Sequence, residues 1–68
     1  MNKIKQFRIE RNLTQKELSD LLGIGQSTLS EIENNKYLPR IDLAKKIAKI
    51  LNCELDEIFP EEYEQSKI

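Results

Sequence analysis

Residues 13–36 read LTQKELSDLLGIGQSTLSEIENNK, a pattern that predicts two short helices joined by a tight turn. Thr14 and Glu17 have the spacing of a capping box, in which each of two side chains bonds the backbone N–H of the other residue at a helix start. A helix is therefore predicted to begin after Thr14. Its buried stripe is expected to consist of Leu18, Leu21 and Leu22.

The segment Gly23-Ile24-Gly25 is predicted to end this helix and to start the next one. Gly23 is the expected stop, Gly25 the expected N-cap, and both glycines allow backbone angles that other residues resist. Placing Leu29 and Ile32 inward leaves an outer face of polar side chains. Its members are Gln26, Ser27, Ser30, Glu31 and Asn34. Such a face can enter a DNA major groove about 12 Å wide and bond to base edges, although an ordinary solvated helix shows the same pattern.

Apolar spacing predicts three further helices around this pair. The first begins at Ile4 and ends near Asn12. The fourth follows Pro39 and ends at Asn52, and a short fifth helix is stopped by Pro60. Their apolar positions are Ile4, Phe7 and Ile9, then Leu43, Ala44, Ile47, Ala48 and Leu51, and finally Leu55, Ile58 and Phe59. The expected fold is all-α, with a compact five-helix domain over residues 1–60 and a short acidic C-terminal tail over residues 61–68.

The composition excludes several classes of site. The 68 residues include no His and one Cys, so a His-based catalytic dyad, a Cys/His zinc site and an internal disulfide all lack necessary residues. No nucleophile–base pair or phosphate-cradling loop stands out. We therefore expect no enzyme activity, metal, cofactor or small-molecule ligand. Cys53 is expected to be a partly buried apolar residue.

Charged residues interrupt the chain every few positions, and the mean hydropathy of −0.60 leaves no apolar run long enough to span a bilayer. The opening residues, MNKIK, lack the apolar region of a secretory signal. We therefore expect a cytoplasmic protein with no membrane partner.

Residues 13–36 resemble the helix-turn-helix of the Cro and lambda-repressor family, also called the XRE family. The resemblance extends from Ile4 to Phe59. Its features, besides the short final helix, are Arg8, Gln15, the Glu33-Asn34 pair and Pro39. It implies a lambda-repressor-like DNA-binding domain whose third helix is the recognition helix.

The resemblance also implies roles for individual residues. Gln15 matches a position that contacts a phosphate and buttresses the first residue of the recognition helix. The residues implied to contact bases are Gln26, Ser27, Ser30 and Glu31. Those implied to lie along the phosphates are Gln15, Lys16, Thr28, Asn34, Lys36, Tyr37 and Arg40. Gln26 is the first choice for direct readout, because Gln can pair bidentately with adenine. Arg8 and Glu33 match a pair that forms an ion bridge between the first and third helices.

The sequence departs from the family pattern at several positions. Gly is commoner in the family where this chain has Asn12, Asn35 and Asn52, and Asn tolerates the left-handed conformation that these turns need. Arg40 stands where a Ser or Thr cap is more usual, so that a phosphate contact or Asp42 in the first turn is expected to compensate. Glu31 repels phosphate, and it is useful only if it accepts from a cytosine amino group or excludes wrong sites.

The charge is unevenly distributed along the chain. Eleven basic and 12 acidic side chains give a net charge of −1, but residues 1–53 hold 10 basic and 6 acidic side chains. Residues 54–68 hold 1 basic and 6 acidic side chains. Because the helix pair lies in the positive part, the near-neutral total does not count against DNA binding.

The leading hypothesis is a transcriptional regulator, a repressor, that binds a palindromic double-stranded operator as a homodimer with its third helix in the major groove. The expected dimer contact comprises Leu55, Ile58, Phe59, Tyr63 and Ile68. The alternative is a protein-interaction module of the same fold that binds another regulator or a toxin. The two differ in salt dependence, because only phosphate contacts make affinity fall steeply with salt.

Overall fold

The computed structural model describes residues 2–60, 62 and 63, and all the regular structure in this part of the chain is α-helical. The helices are α1 (Ile4–Glu10), α2 (Gln15–Leu22), α3 (Gln26–Glu33), α4 (Ile41–Ile50) and α5 (Leu55–Ile58). This confirms the expected five-helix, all-α architecture. None of the described helices is long and apolar enough to cross a membrane.

The core is built around α4, which packs against both α2 and α5, while α2 also packs against α3. The fully buried apolar side chains come from all five helices and their caps; they include Ile4, Leu18, Leu29, Ile32, Ile47, Leu51, Ile58 and Phe59. Two polar links join α1 to the far part of the chain. The backbone N–H of Lys3 donates to the carbonyl of Ile58 at 2.8 Å, and Arg11 Nε donates to the carbonyl of Leu51.

The buried stripe of α2 differs from the expected one. Leu18 and Leu22 are buried, but Leu21 is 54% exposed and Ser19 is buried in its place at 1% exposure. The hydroxyl of Ser19 donates to the carbonyl of Lys16 at 2.8 Å, so that its burial leaves no unpaired donor. Ile9 of α1 was also expected to face inward and is 54% exposed.

Local chemistry sets the start of α2 as expected. The backbone N–H of Glu17 donates to Thr14 Oγ1 at 3.0 Å, and the backbone N–H of Thr14 donates to Glu17 Oε1 at 2.8 Å. Gly23 ends the helix in the left-handed conformation, with φ of 74°. Gly25 is the N-cap of α3, as expected. Its φ of −71° and ψ of 152° are open to any residue, so the expectation that the backbone needs a glycine there was wrong. A single glycine therefore makes this turn.

The three asparagines predicted to replace helix-ending glycines all adopt the left-handed conformation. Asn12, Asn35 and Asn52 have φ values of 58°, 60° and 56° and follow α1, α3 and α4. Cys53, next to the last of these turns, is half-buried, and burial raises the pKa of its thiol. The thiol therefore stays protonated at neutral pH, in agreement with an apolar role.

The end of the described chain corrects the expected dimer contact. Ile58 and Phe59 are 0% and 1% exposed, so they belong to the core of the monomer and offer no surface to a partner. Tyr63, assigned from sequence to the tail, packs edge-on against Phe59 with ring centroids 5.2 Å apart. Its hydroxyl donates to the carbonyl of Pro39. Leu55 is half-buried, and Ile68 lies outside the described residues.

Candidate nucleic-acid interface

The outer face of α3 is polar and accessible. Leu29 and Ile32 are both 0% exposed and fix which side of the helix faces the core. The helical repeat then turns Gln26, Ser27 and Glu31 outward, where all three side chains are exposed. Ser30 and Thr28, at the edges of this face, are half-buried, and Asn34 is exposed at the C-terminal end. The sequence-predicted base-contacting residues thus share one continuous surface.

Gln15 connects the two ends of α3. It is the first residue of α2, directly after the Thr14 cap. Gln26 Nε2 donates to Gln15 Oε1 at 3.4 Å, and Gln15 Nε2 donates to Glu33 Oε1 at 3.2 Å. The side-chain amide of Gln26 is thereby held at the exposed start of α3, with its own Oε1 left to accept from a partner.

Arg8 and Glu33 form an ion pair between α1 and α3 that is shielded from water. Arg8 Nε donates to Glu33 Oε2 at 2.7 Å and Nη2 donates to Oε1 at 3.3 Å. The two side chains are only 10% and 3% exposed. Arg8 Nη1 also donates to the carbonyl of Leu13, at 2.9 Å, just before α2. A short chain of bonds therefore runs from α1 through Glu33 and Gln15 to Gln26.

Of the residues predicted to lie along phosphates, Thr28 lies on α3 and Asn34 is its C-cap, while the others occur on two segments that flank α3. At the start of α2, Lys16 Nζ bonds Asp20 at 3.0 Å, in a pair whose side chains are 65% and 63% exposed. Lys36 and Arg40, in the segment after α3, are exposed and make no side-chain bond within the described residues. Tyr37 is 45% exposed between them. Both segments present side chains that can reach an acidic partner.

Arg40 occupies the N-cap position of α4 without capping it. Asp42, in the first turn, accepts from the backbone N–H of Leu43 at 2.9 Å. A carboxylate in this place also interacts favourably with the positive end of the helix dipole. The Arg40 guanidinium therefore remains free to face a ligand.

Asn2 is a residue of this region that sequence reasoning missed. Asn2 Nδ2 donates to the carbonyl of Ile32 at 2.8 Å and to Asn35 Oδ1 at 2.9 Å. The Asn2 backbone N–H donates to the same Asn35 oxygen at 3.1 Å, and Asn2 Oδ1 accepts from the backbone N–H of Ile4 at 3.1 Å. We call the contacts among Asn2, Ile32 and Asn35 the Asn2 clamp. No local sequence signal predicts it, because its partners lie 30 and 33 positions away in the chain.

The described residues contain no group of three or more His, Cys, Asp or Glu side chains placed to hold a metal ion. The accessible features of the surface around α3 are instead amides, hydroxyls, one carboxylate and flanking cations. Hydrogen bonding to base edges and charge pairing with phosphates are the two interactions that this set of groups supports.

Residues 4–58 match the model of a protein family described as helix-turn-helix, and the chain belongs to this XRE-type family. It is a transcriptional regulator with a helix-turn-helix DNA-binding fold, and its relatives are regulators of this kind, not enzymes. It is 43% identical over 58 residues to an uncharacterized HTH-type transcriptional regulator, MJ0272, of Methanocaldococcus jannaschii, covering 85% of this chain and 88% of that protein.

Two further proteins similar to this chain are a transcriptional repressor and a DNA-binding regulator. The chain is 30% identical to the CTXphi transcriptional repressor RstR of Vibrio cholerae over 57 residues, which cover 84% of this chain and 51% of RstR. It superposes on the N-terminal DNA-binding domain of SinR from Bacillus subtilis with a TM-score of 0.77 and 32% identity, covering 91% of each chain. A crystal structure of SinR in complex with DNA matches with a TM-score of 0.71 and 33% identity, covering 78% of this chain and 86% of that one.

Proposed function

We propose that this protein represses transcription by binding a palindromic DNA operator as a homodimer, with α3 of each protomer in the major groove. The main observation that supports the proposal is the outer face of α3. Its polar side chains are exposed, while the apolar side chains on the inner face of the same helix are fully buried. The bond from Gln26 to Gln15 supports it, because a reading side chain held in place loses less entropy on binding.

The base-contacting set is Gln26, Ser27, Ser30 and Glu31. Gln26 reads adenine with its amide, since the free oxygen and N–H of Gln match the donor and acceptor that adenine shows in the major groove. Glu31, one turn further along, accepts from a cytosine amino group. Its charge also disfavours sequences that offer no such donor, so it contributes discrimination more than affinity.

The phosphate-contacting set is Gln15, Lys16, Thr28, Asn34, Lys36, Tyr37 and Arg40. Lys36 and Arg40 have no side-chain partner to give up within the described residues. Lys16 must leave Asp20, but an exposed pair at positions i and i+4 contributes only about 0.3–0.5 kcal/mol. Breaking the pair so that Lys16 can contact a phosphate therefore lowers the affinity for DNA only slightly.

Leu55 and Tyr63, with Ile68 beyond the described residues, form the proposed dimer contact, and the buried Ile58 and Phe59 support it from within the monomer. A two-fold dimer places the two recognition helices about one helical turn of DNA apart. The likeness to RstR, which is named a repressor, favours repression as the effect of binding. Occupancy of an operator is by itself enough to exclude other proteins from the same groove.

The affinity for a DNA duplex measured as a function of salt tests the proposal. We expect the logarithm of the binding constant to fall linearly with the logarithm of salt concentration, with a slope of about −0.9 for each phosphate contacted. A flat salt response would contradict DNA binding and would favour the alternative, a protein-interaction module of the same fold.

A further inference from the structure

The Asn2 clamp joins the start of α1 to the turn that follows α3. Of the bonds that Asn2 makes, one serves α1, where its Oδ1 accepts from the backbone N–H of Ile4. The other three go to Ile32 and Asn35. Both N–H groups of the side-chain amide are thus used, since a primary amide has only two donors.

The turn held by the clamp leads directly into a residue proposed to contact a phosphate. Asn35 adopts the left-handed conformation, and its own backbone N–H donates to the carbonyl of Ile32 at 3.0 Å. The next residue, Lys36, donates through its backbone N–H to the carbonyl of Glu31 at 2.9 Å. The path of the chain from α3 to Lys36 therefore depends on the conformation of Asn35, and the hydrogen bonds from Asn2 hold Asn35 in place.

We propose that Asn2 is a positioning residue for DNA binding, and that it holds, through the side chain of Asn35, the turn that presents Lys36 to the phosphates. The inference rests on the proposed DNA-binding function and adds to it a residue outside the helix-turn-helix. Neither Asn2 nor Asn35 needs to touch DNA for this role.

The residue types at both positions fit the clamp better than they fit a purely local role. A Ser or Asp at position 2 would cap a helix as well as Asn, but neither provides two side-chain donors. A Gly at position 35 would adopt the same backbone conformation more readily than Asn. The oxygen that Asn35 adds is the one that receives two N–H groups from Asn2.

Two substitutions each remove part of the clamp while leaving the local structure intact, and both of them remove the bond from Asn2 Nδ2 to Asn35 Oδ1. Asn2→Ser keeps a side-chain oxygen for the N–H of Ile4 and removes the amide, while the bond from the Lys3 N–H to Ile58 still anchors the segment. Asn35→Gly keeps the left-handed turn and removes the accepting oxygen. Gln6→Ala is the matched control, because Gln6 is exposed on α1 and makes no side-chain bond within the described residues.

Affinity for a duplex selected from random DNA is measured across a salt series, and circular dichroism gives the folded fraction of each variant at the assay temperature. Per folded molecule, we expect Asn2→Ser and Asn35→Gly each to weaken binding by about fivefold, the equivalent of one hydrogen bond. The salt slope should become shallower by up to about 0.9, as the phosphate contact of Lys36 is lost. The double variant should lose less than the sum of the two single losses, because both substitutions remove the same bond from Asn2 Nδ2 to Asn35 Oδ1. Gln6→Ala should bind as the unmodified protein does.

A third variant separates positioning from simple stabilisation. Lys36→Ala should make the salt slope shallower in the unmodified protein but should change it little when Asn2→Ser is already present. The inference is overturned if the two clamp variants bind like the unmodified protein, or if they lose affinity with an unchanged slope. If the unmodified protein shows no salt-dependent DNA binding, the proposed function fails and the role of Asn2 fails with it.

Discussion

Gln26 and Lys36 are the two residues whose substitution best separates base reading from phosphate contact. Gln26→Ala is expected to weaken cognate binding by about 1–3 kcal/mol and to relax the preference at one base pair of each half-site. Lys36→Ala is expected to weaken binding to all sequences alike and to flatten the salt dependence. Competition binding against single-base variants of the operator measures both effects. Equal loss on every DNA from both substitutions would contradict the assignment of α3 as the reading helix.

The ion pair of Arg8 and Glu33 is buried enough that each charge depends on the other. Arg8→Met leaves the Glu33 carboxylate in a shielded position without its main partner, and we expect it to lower the free energy of unfolding by about 3 kcal/mol or more. Glu33→Gln should also destabilise, because it leaves the guanidinium uncompensated. The double variant should lose less than the sum of the two single losses. Additive losses in urea denaturation would show that the pair contributes nothing as a pair.

The two glycines of the turn between α2 and α3 are expected to differ in their tolerance of a side chain. Gly23 has φ of 74°, so Gly23→Ala should cost about 1–2 kcal/mol even though the space around it is open. Gly25 lies in the extended region, and a Cβ there would meet Thr28 Oγ1 at 3.7 Å, an ordinary contact. Gly25→Ala should therefore be nearly neutral. Thermal melts of the two variants, compared with the unmodified protein, test the contrast.

In α2, the spacing of apolar residues predicts the burial of Leu18 and Leu22 correctly and the burial of Leu21 wrongly. On a helix that turns 100° per residue, Ser19 and Leu21 lie about 80° to either side of the pair formed by Leu18 and Leu22. Hydrophobicity favoured Leu21, yet α2 packs with Ser19 toward its neighbours, where a small side chain allows close approach. The packing of α2 against its neighbouring helices therefore decides which side of α2 is buried, and Leu21 is left exposed.

A pair of leucine substitutions tests the corrected stripe. Leu18→Ala removes a side chain that is 0% exposed, and it should cost about 2–5 kcal/mol through lost burial and the cavity left behind. Leu21→Ala alters a side chain that is 54% exposed, and it should change the free energy of unfolding by less than about 0.5 kcal/mol. Comparable losses for the two variants in chemical denaturation would contradict the orientation of α2.

Local chemistry made much of the fold predictable. The capping box of Thr14 and Glu17, the stop at Gly23 and the left-handed Asn35 each depend on a few neighbouring residues, and each is present. The ends of the helices were expected within about two residues because such signals mark them. The burial of Ile58 and the bonds of Asn2 depend on segments that meet only after the chain has folded, so that periodicity alone could not assign them.

At the scale of the whole molecule, charge is separated along the fold. The surface proposed to face DNA carries Lys36 and Arg40, whereas α5 carries Asp56 and Glu57 and is preceded by Glu54, all of them exposed. Repulsion between the acidic end and the phosphates would help to orient the approaching domain. Weak non-specific affinity is the expected consequence of a near-neutral total, which makes operator binding dependent on specific contacts.

The proposed dimer depends on the limited apolar surface near α5. Leu55 is half-buried, and a charge there should oppose association while leaving the buried Ile58 and Phe59 in place. Sedimentation of the protein in complex with operator DNA should give two protomers per duplex, and Leu55→Glu should lower the cooperativity of binding. The exposed Leu21→Glu serves as the control. A single protomer per duplex at micromolar protein would contradict the homodimer.

Selection of bound sites from random DNA examines DNA binding, symmetry and half-site spacing in one experiment. A homodimer on a palindromic operator should enrich an inverted repeat whose half-sites are about 10 base pairs apart, centre to centre. Repeating the selection with Gln26→Ala should relax one base pair in each half-site, symmetrically about the dyad. Failure to enrich any sequence, or enrichment of a single asymmetric site unaffected by Gln26→Ala, would contradict the proposed function.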